Sequence, residues 1–232
     1  MVLQNLFIGF LKTAEGFPEE GRRSRVLTQW RKPDNICIPV LKNRIKRFLG
    51  LGGYTMNQVR LVADSSCDLL TLDGADFVSV PLSIRTDTEE FCDDANLDVD
   101  TMVSTLRETK GRSYSACPNI ADWESAFGES GNVIAFTITS ALSGSYNAAC
   151  VAKKNCEERN PARRIYVVDS LSTGPEIALL IERALYELRS HADFDKACEA
   201  LNTYQAHTHL LFALESMHNL AQNRRGAIFI LP

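Results

Sequence analysis

The stretch Asn132–Cys150, NVIAFTITSALSGSYNAAC, decides the fold. Val133 to Ile138 is a β-branched apolar run, the composition of a buried strand. Thr139 to Ser145 then supplies small, hydroxyl-bearing residues, and Tyr146 to Lys153 reads as helix. A strand that enters a helix through Ser, Gly and Ser brings the backbone close to whatever binds there. The first N–H groups of such a helix have no partner inside it and point at any anion. Recognition of a carboxylate or phosphate is therefore favoured, and catalysis needs more.

Outward from this stretch the same form recurs. Val59–Asp64 is a short apolar strand followed by Ser65-Ser66, and Ile165–Ser170 is another. Phe77–Leu82 is a further strand carrying Pro81 near its end. Between them, Asp98–Glu108 has helical spacing with Val99, Met102, Val103 and Leu106 on one face. Asn119 reads as the cap of a helix carrying Trp123 and Phe127, with Asp122 placed as in a capping box. Glu176–Ser190 and Asp193–Ala206 are amphipathic helices. Strands alternating with helices at this spacing indicate a parallel sheet built from right-handed crossovers. The fold class is α/β, a three-layer α/β/α domain over residues 56–173 followed by an incomplete second α/β domain over 174–232, with Leu210–Leu214 opening its sheet. Arg85–Asp100 reads as an acidic surface loop and Ser113–Asn119 as a small-residue loop.

Residues 1–55 differ. They hold ten Lys/Arg against four Asp/Glu, and by subtraction residues 56–232 hold fifteen against twenty-five. They show no sustained period, so we read them as a basic extension open to disorder, with a native start expected at Met56. The apolar end Ala227–Pro232 reads as a truncation, since proteins rarely leave such an edge uncovered. Seven cysteines without a CxxC pair argue against a disulfide framework or a zinc site, and reduced thiols in a cytoplasm are expected. The apolar run Leu6–Leu11 is too short for stable membrane insertion.

Familiar catalytic signatures are missing. There is no GxxxxGK[ST] and no GxGxxG, and Ala141-Leu142-Ser143-Gly144-Ser145 lacks the flanking glycine pattern of a nucleophile elbow. Of the four His residues, His207-Thr208-His209 has no acidic or Cys partner at a metal-ligand spacing and reads as ordinary polar positions. Three hydroxyl-rich loops remain: Asp64-Ser65-Ser66, Ser113–Asn119 and Thr139–Ser145. Gathered at the carboxyl end of one sheet they form a cluster of neutral donors suited to one carboxylate. Read singly, each is also an ordinary turn or cap.

At these loops the sequence resembles the DegV family of fatty-acid-binding proteins. Val62-Ala63-Asp64-Ser65-Ser66, Val80-Pro81-Leu82, Ile138 to Tyr146 and Val168-Asp169-Ser170 carry the resemblance, which runs from Val59 to about Arg225. It implies two domains enclosing one long-chain fatty acid such as palmitate. Ser115 and Ser143 hold its carboxylate, with Gly144, Ser140 and Ser65 in the same loops. The family's usual T-S-Q-P-S reads Ser115-Ala116-Cys117-Pro118-Asn119 here, keeping the hydroxyl and losing the Gln and second Ser. A fatty acid kinase subunit is the implied partner, and the protein itself is a carrier without catalytic residues, cofactor or metal. With the second domain incomplete, weak or absent lipid retention is expected. The competing reading is a small serine/aspartate-dependent hydrolase or phosphotransferase, with Asp64 or Asp169 as base. A nucleic-acid role for the basic extension is disfavoured by the acidic remainder.

Overall fold

The computed structural model of the chain describes residues 6–9, 59–109, 111–129, 131–190 and 193–214. Beyond β1 (Leu6–Gly9), it opens on β2 (Val59–Asp64) and β3 (Phe77–Val80). Two short strands follow, β4 (Ser83–Arg85) and β5 (Glu90–Cys92), then α1 (Val99–Glu108), β6 (Tyr114–Ala116) and α2 (Ile120–Phe127). The order continues with β7 (Asn132–Thr137), α3 (Ser145–Arg159), β8 (Ile165–Asp169), α4 (Pro175–Arg189), α5 (Phe194–Gln205) and β9 (Leu211–Leu214).

The main sheet is parallel, in the order β3-β2-β7-β8. Alternation along each strand sends side chains to both faces. Leu61, Ala63, Ile134 and Phe136 pack with Ile177, Leu180 and Ile181 of α4 and Leu201 of α5. Val62, Val133 and Ala135 pack on the other side with Trp123 and Phe127 of α2 and Ala149 and Ala152 of α3. All of these are at 0% exposure. Each large side chain buried this way contributes about 1.5–3 kcal/mol over an exposed one. The result is the three-layer α/β/α arrangement that the strand–helix alternation implied.

Local signals account for the helix ends. Asn119 Oδ1 accepts from Asp122 N and Asp122 Oδ2 accepts from Asn119 N at 2.8 Å, the capping box read from the sequence. Gly174 (φ 55°) turns the chain into Pro175, the first residue of α4. At the amino edge of the sheet the buried Arg163 guanidinium donates to the carbonyls of Phe127, Gly128 and Gly131, holding the turn between α2 and β7.

Three expectations change. The stretch read as an acidic loop holds the β4–β5 hairpin, and the loop read over Ser113–Asn119 holds β6, so a three-stranded antiparallel sheet ordered β5-β4-β6 exists. Each of its strands is three residues long and none is fully buried, which leaves almost no periodic signal. The apolar face predicted for α1 forms, yet no residue of that helix is buried and Val99 is 54% exposed. The backbone of β9 pairs antiparallel with β1, so the expected strand near Leu210 takes a partner from the N-terminal extension. The readings of Met56 as a start and of the apolar end Ala227–Pro232 lie outside the described residues.

Candidate functional site

Asp64 closes β2, and its carboxylate is where three parts of the chain meet. Oδ1 accepts from Ser66 Oγ at 2.5 Å, and Oδ2 accepts from Ile138 N at 2.9 Å and Ser145 Oγ at 2.6 Å. Asp64 and Ser145 are both fully buried. Burial pushes the Asp64 carboxyl above the usual carboxylate range, and bonds from Ser145, Ser66 and the backbone N–H groups of Ile138 and Ser66 work against that shift. Leu82 N donates to Ser65 Oγ at 3.0 Å, which fastens the end of β3 to the same turn. Ser65 is only 4% exposed with its oxygen occupied. Named as a ligand contact from the sequence, it fastens the loop from beneath by accepting this bond, and its hydroxyl keeps a proton to donate.

α3 begins at Ser145, with Gly144 as its cap residue. Ser143 Oγ accepts from Ser145 N at 3.2 Å, so the serine supplies the cap bond that glycine cannot. Ser143 is half-buried and Ser140 and Gly144 are exposed. A Cβ built on Gly144 would stand 3.3 Å from Cys117 Sγ. The loop carrying Ser115 therefore comes down onto the loop carrying Ser143. Ser115 sits in β6 opposite Ile84 and is exposed.

A second carboxylate orders the neighbouring turn. Asp169 Oδ1 accepts from Ser140 N at 3.0 Å and Leu171 N at 3.2 Å, and Thr139 N donates to Ser172 O at 2.8 Å. Leu171 has φ 54°, a left-handed conformation that a leucine adopts only under constraint, and is 72% exposed. Gln205 Nε2 donates to Asp169 O at 2.6 Å and Thr208 Oγ1 donates to Glu176 Oε1 at 2.5 Å, so the exit from α5 is pinned to this end of the sheet.

The arrangement is poor for covalent catalysis. Of the two serines bonded to Asp64, Ser66 at 2.5 Å is half-buried and Ser145 at 2.6 Å is sealed from substrate, and the carboxylate either would use as base is already engaged by three donors. His207, in the turn just past α5, is bonded through Nδ1 to Thr203 O of that helix at 2.7 Å. Among the described residues no group of three His, Cys, Asp or Glu is placed to hold a metal, and the six described cysteines are unpaired. A depression of about 440 Å³ runs along the far half of α3, lined by Lys153, Lys154, Glu157 and Arg163 among others, a charged lining unsuited to an acyl chain.

A three-layer parallel domain whose hydroxyl-rich loops gather at the carboxyl ends of its strands has the architecture of a binding protein with its ligand at that edge. Residues 58–227 match the model of DegV, described as an uncharacterised protein family. The chain belongs to the DegV family. It is 41% identical over 170 residues to a DegV domain-containing protein of Streptococcus pneumoniae, covering 72% of this chain and 60% of that one. A counterpart in Streptococcus gordonii is 39% identical over 183 residues, covering 75% and 65%. The chain thus spans about three fifths of the length of these relatives. Among solved structures, a DegV family protein of Eubacterium eligens loaded with heptadecanoic acid superimposes with a TM-score of 0.69 at 44% identity, over 71% of this chain and 60% of that one. The Streptococcus pneumoniae fatty acid kinase B3 protein loaded with linoleic acid gives 0.62 at 40% identity, over 64% and 54%.

Proposed function

We propose that this chain is a non-catalytic carrier that binds a long-chain fatty acid, of the palmitate class, and presents its carboxylate to a separate fatty acid kinase. Ser115 and Ser143 are the hydroxyl donors to the head group, with Gly144 and Ser140 shaping the loop around it. The observation that carries this reading is the approach of Cys117 to Gly144, since it brings the two serine-bearing loops together. Neutral donors orient the carboxylate, while burial of the chain supplies most of the affinity, about 0.8 kcal/mol for each CH₂ removed from water. The ligands in the E. eligens and S. pneumoniae structures are of the same class. A cytoplasmic site of action agrees with the unpaired cysteines, and no helix among the described residues is long and apolar enough to cross a membrane.

The test is a titration of the purified chain with palmitate ¹³C-labelled at the carboxyl, alongside denaturing extraction and lipid mass spectrometry. Saturable binding that shifts the carboxylate resonance is expected. Addition of a fatty acid kinase and ATP is then expected to yield acyl phosphate and ADP. No saturable binding, together with an extract free of fatty acid, overturns the proposal.

A further inference from the structure

We propose that Cys117 is a positioning residue: its thiol, seated on Gly144, sets the spacing between the two loops that carry Ser115 and Ser143. This rests on the carrier reading above. Gly144 has φ −75° and ψ −2°, ordinary right-handed backbone open to every residue, so conformation does not call for glycine there. Space does. A Cβ at Gly144 meets Cys117 Sγ at 3.3 Å, closer than ordinary van der Waals contact, and among the described residues beyond its chain neighbours no other heavy atom lies within 4 Å of it.

Both ends of this contact are anchored. Gly144 precedes Ser145, whose hydroxyl is bonded to Asp64, and its carbonyl accepts from Ala148 N at 3.0 Å. Cys117 lies between Ala116, paired with Ser83 in the antiparallel sheet, and the buried Pro118, ahead of the Asn119 cap. The chain on either side cannot give freely, so the size of the side chain at 117 and the absence of one at 144 determine how far apart the loops stand. Ser115 is two residues from the contact and Ser143 one. A short, soft side chain at 117 lets both hydroxyls address one head group; a Cβ at 144 pries them apart.

The experiment is a double-mutant cycle on the full chain, read by the palmitate titration and by the ¹³C shift of the bound carboxylate. Gly144→Ala is expected to weaken binding about tenfold and to move the carboxylate resonance, with the urea midpoint unchanged. In a Cys117→Ala background the same glycine change is expected to alter affinity less than about twofold, because the thiol it collides with is gone. Cys117→Ser, nearly the same size, is expected to keep the wild-type resonance. Gly144→Ala binding as wild type does, or weakening binding equally in both backgrounds, overturns the role of Cys117. A wild-type chain that binds no palmitate overturns the carrier reading and this role with it, whereas wild-type binding that Gly144→Ala leaves untouched overturns the role alone.

Discussion

The parallel sheet and the small antiparallel sheet hold themselves together by different means. In the first, Leu61, Val62, Ile134 and Phe136 are wholly buried between two helical layers. In the second, β4, β5 and β6 are short and fully bury no side chain, and α1 beside them in sequence buries none either. What fixes the second region is polar: Leu82 N on Ser65 Oγ, Asp93 N on Leu82 O, the Arg85–Glu90 pair, and the caps at Asp98 and Asn119. One hydroxyl of the candidate site stands on each region, Ser143 on the packed one and Ser115 on the thinly supported one. A head-group site built across such a seam has one firm wall and one adjustable wall.

Perturbations rank accordingly. The largest effect is expected from Phe136→Ala, which empties the middle of the packed sheet and should cost about 3–5 kcal/mol in urea unfolding; a cost near zero would erase the contrast between the regions. Asp64→Ala comes next, at about 3 kcal/mol, because Ile138 N and Ser145 Oγ lose their acceptor inside the protein. Asp64→Asn separates charge from geometry. Burial holds the folded Asp64 pKa above the ordinary carboxylate value of 3.8, so the stability tied to the protonated form is complete below about pH 3.8 and is lost as pH rises through the folded value. Asn cannot ionise, and Asp64→Asn is expected to gain on wild type between acidic and neutral pH. The opposite trend would mean that the bonds from Ser145, Ser66 and Ile138 outweigh burial.

Smaller effects are expected at the two candidate hydroxyls and in the second region. Ser115→Ala and Ser143→Ala should each weaken palmitate binding by about 1–1.5 kcal/mol, roughly tenfold; Ser115→Ala should leave the urea midpoint in place, whereas Ser143→Ala also removes the bond from Ser145 N and should cost about 0.5–2 kcal/mol of stability. Asp98 accepts from Asp100 N and Thr101 N, and Asp98→Ala should cost about 1 kcal/mol. Val99→Ala, at a position 54% exposed, should stay within about 0.5 kcal/mol. A loss from Val99→Ala as large as that from Phe136→Ala would show α1 to be as well packed as the sheet core.

This division also explains what could be read in advance. β2, β7 and β8 were legible because strands buried on both faces are apolar runs, and the Asn119–Asp122 box was legible because its partners lie three residues apart. The β4–β5–β6 sheet was not: Ile84 lies opposite Phe91 on one side and Ser115 on the other, a single apolar pair among charged and small residues. In the site, the loops were visible as Ser-rich turns, but their assembly was hidden. The Asp64 bonds reach 74 and 81 positions along the chain, and local spacing carries no trace of partners so distant. The Cys117–Gly144 approach is hidden for the same reason, and it becomes visible only once the backbone at Gly144 is seen to be ordinary right-handed.

The Asp64–Ser145 bond has a consequence for how this sequence is free to drift. A buried carboxylate and a buried hydroxyl bonded to each other are inherited asymmetrically: losing Asp64 strips Ser145 Oγ and Ile138 N of their acceptor, while losing Ser145 leaves Asp64 with Ser66 Oγ and Ile138 N, so descendants are expected to hold the aspartate more strictly than the serine. Ser143, two residues away and half-buried, is tied to the same unit only by the bond it accepts from Ser145 N, which a threonine or aspartate would also accept.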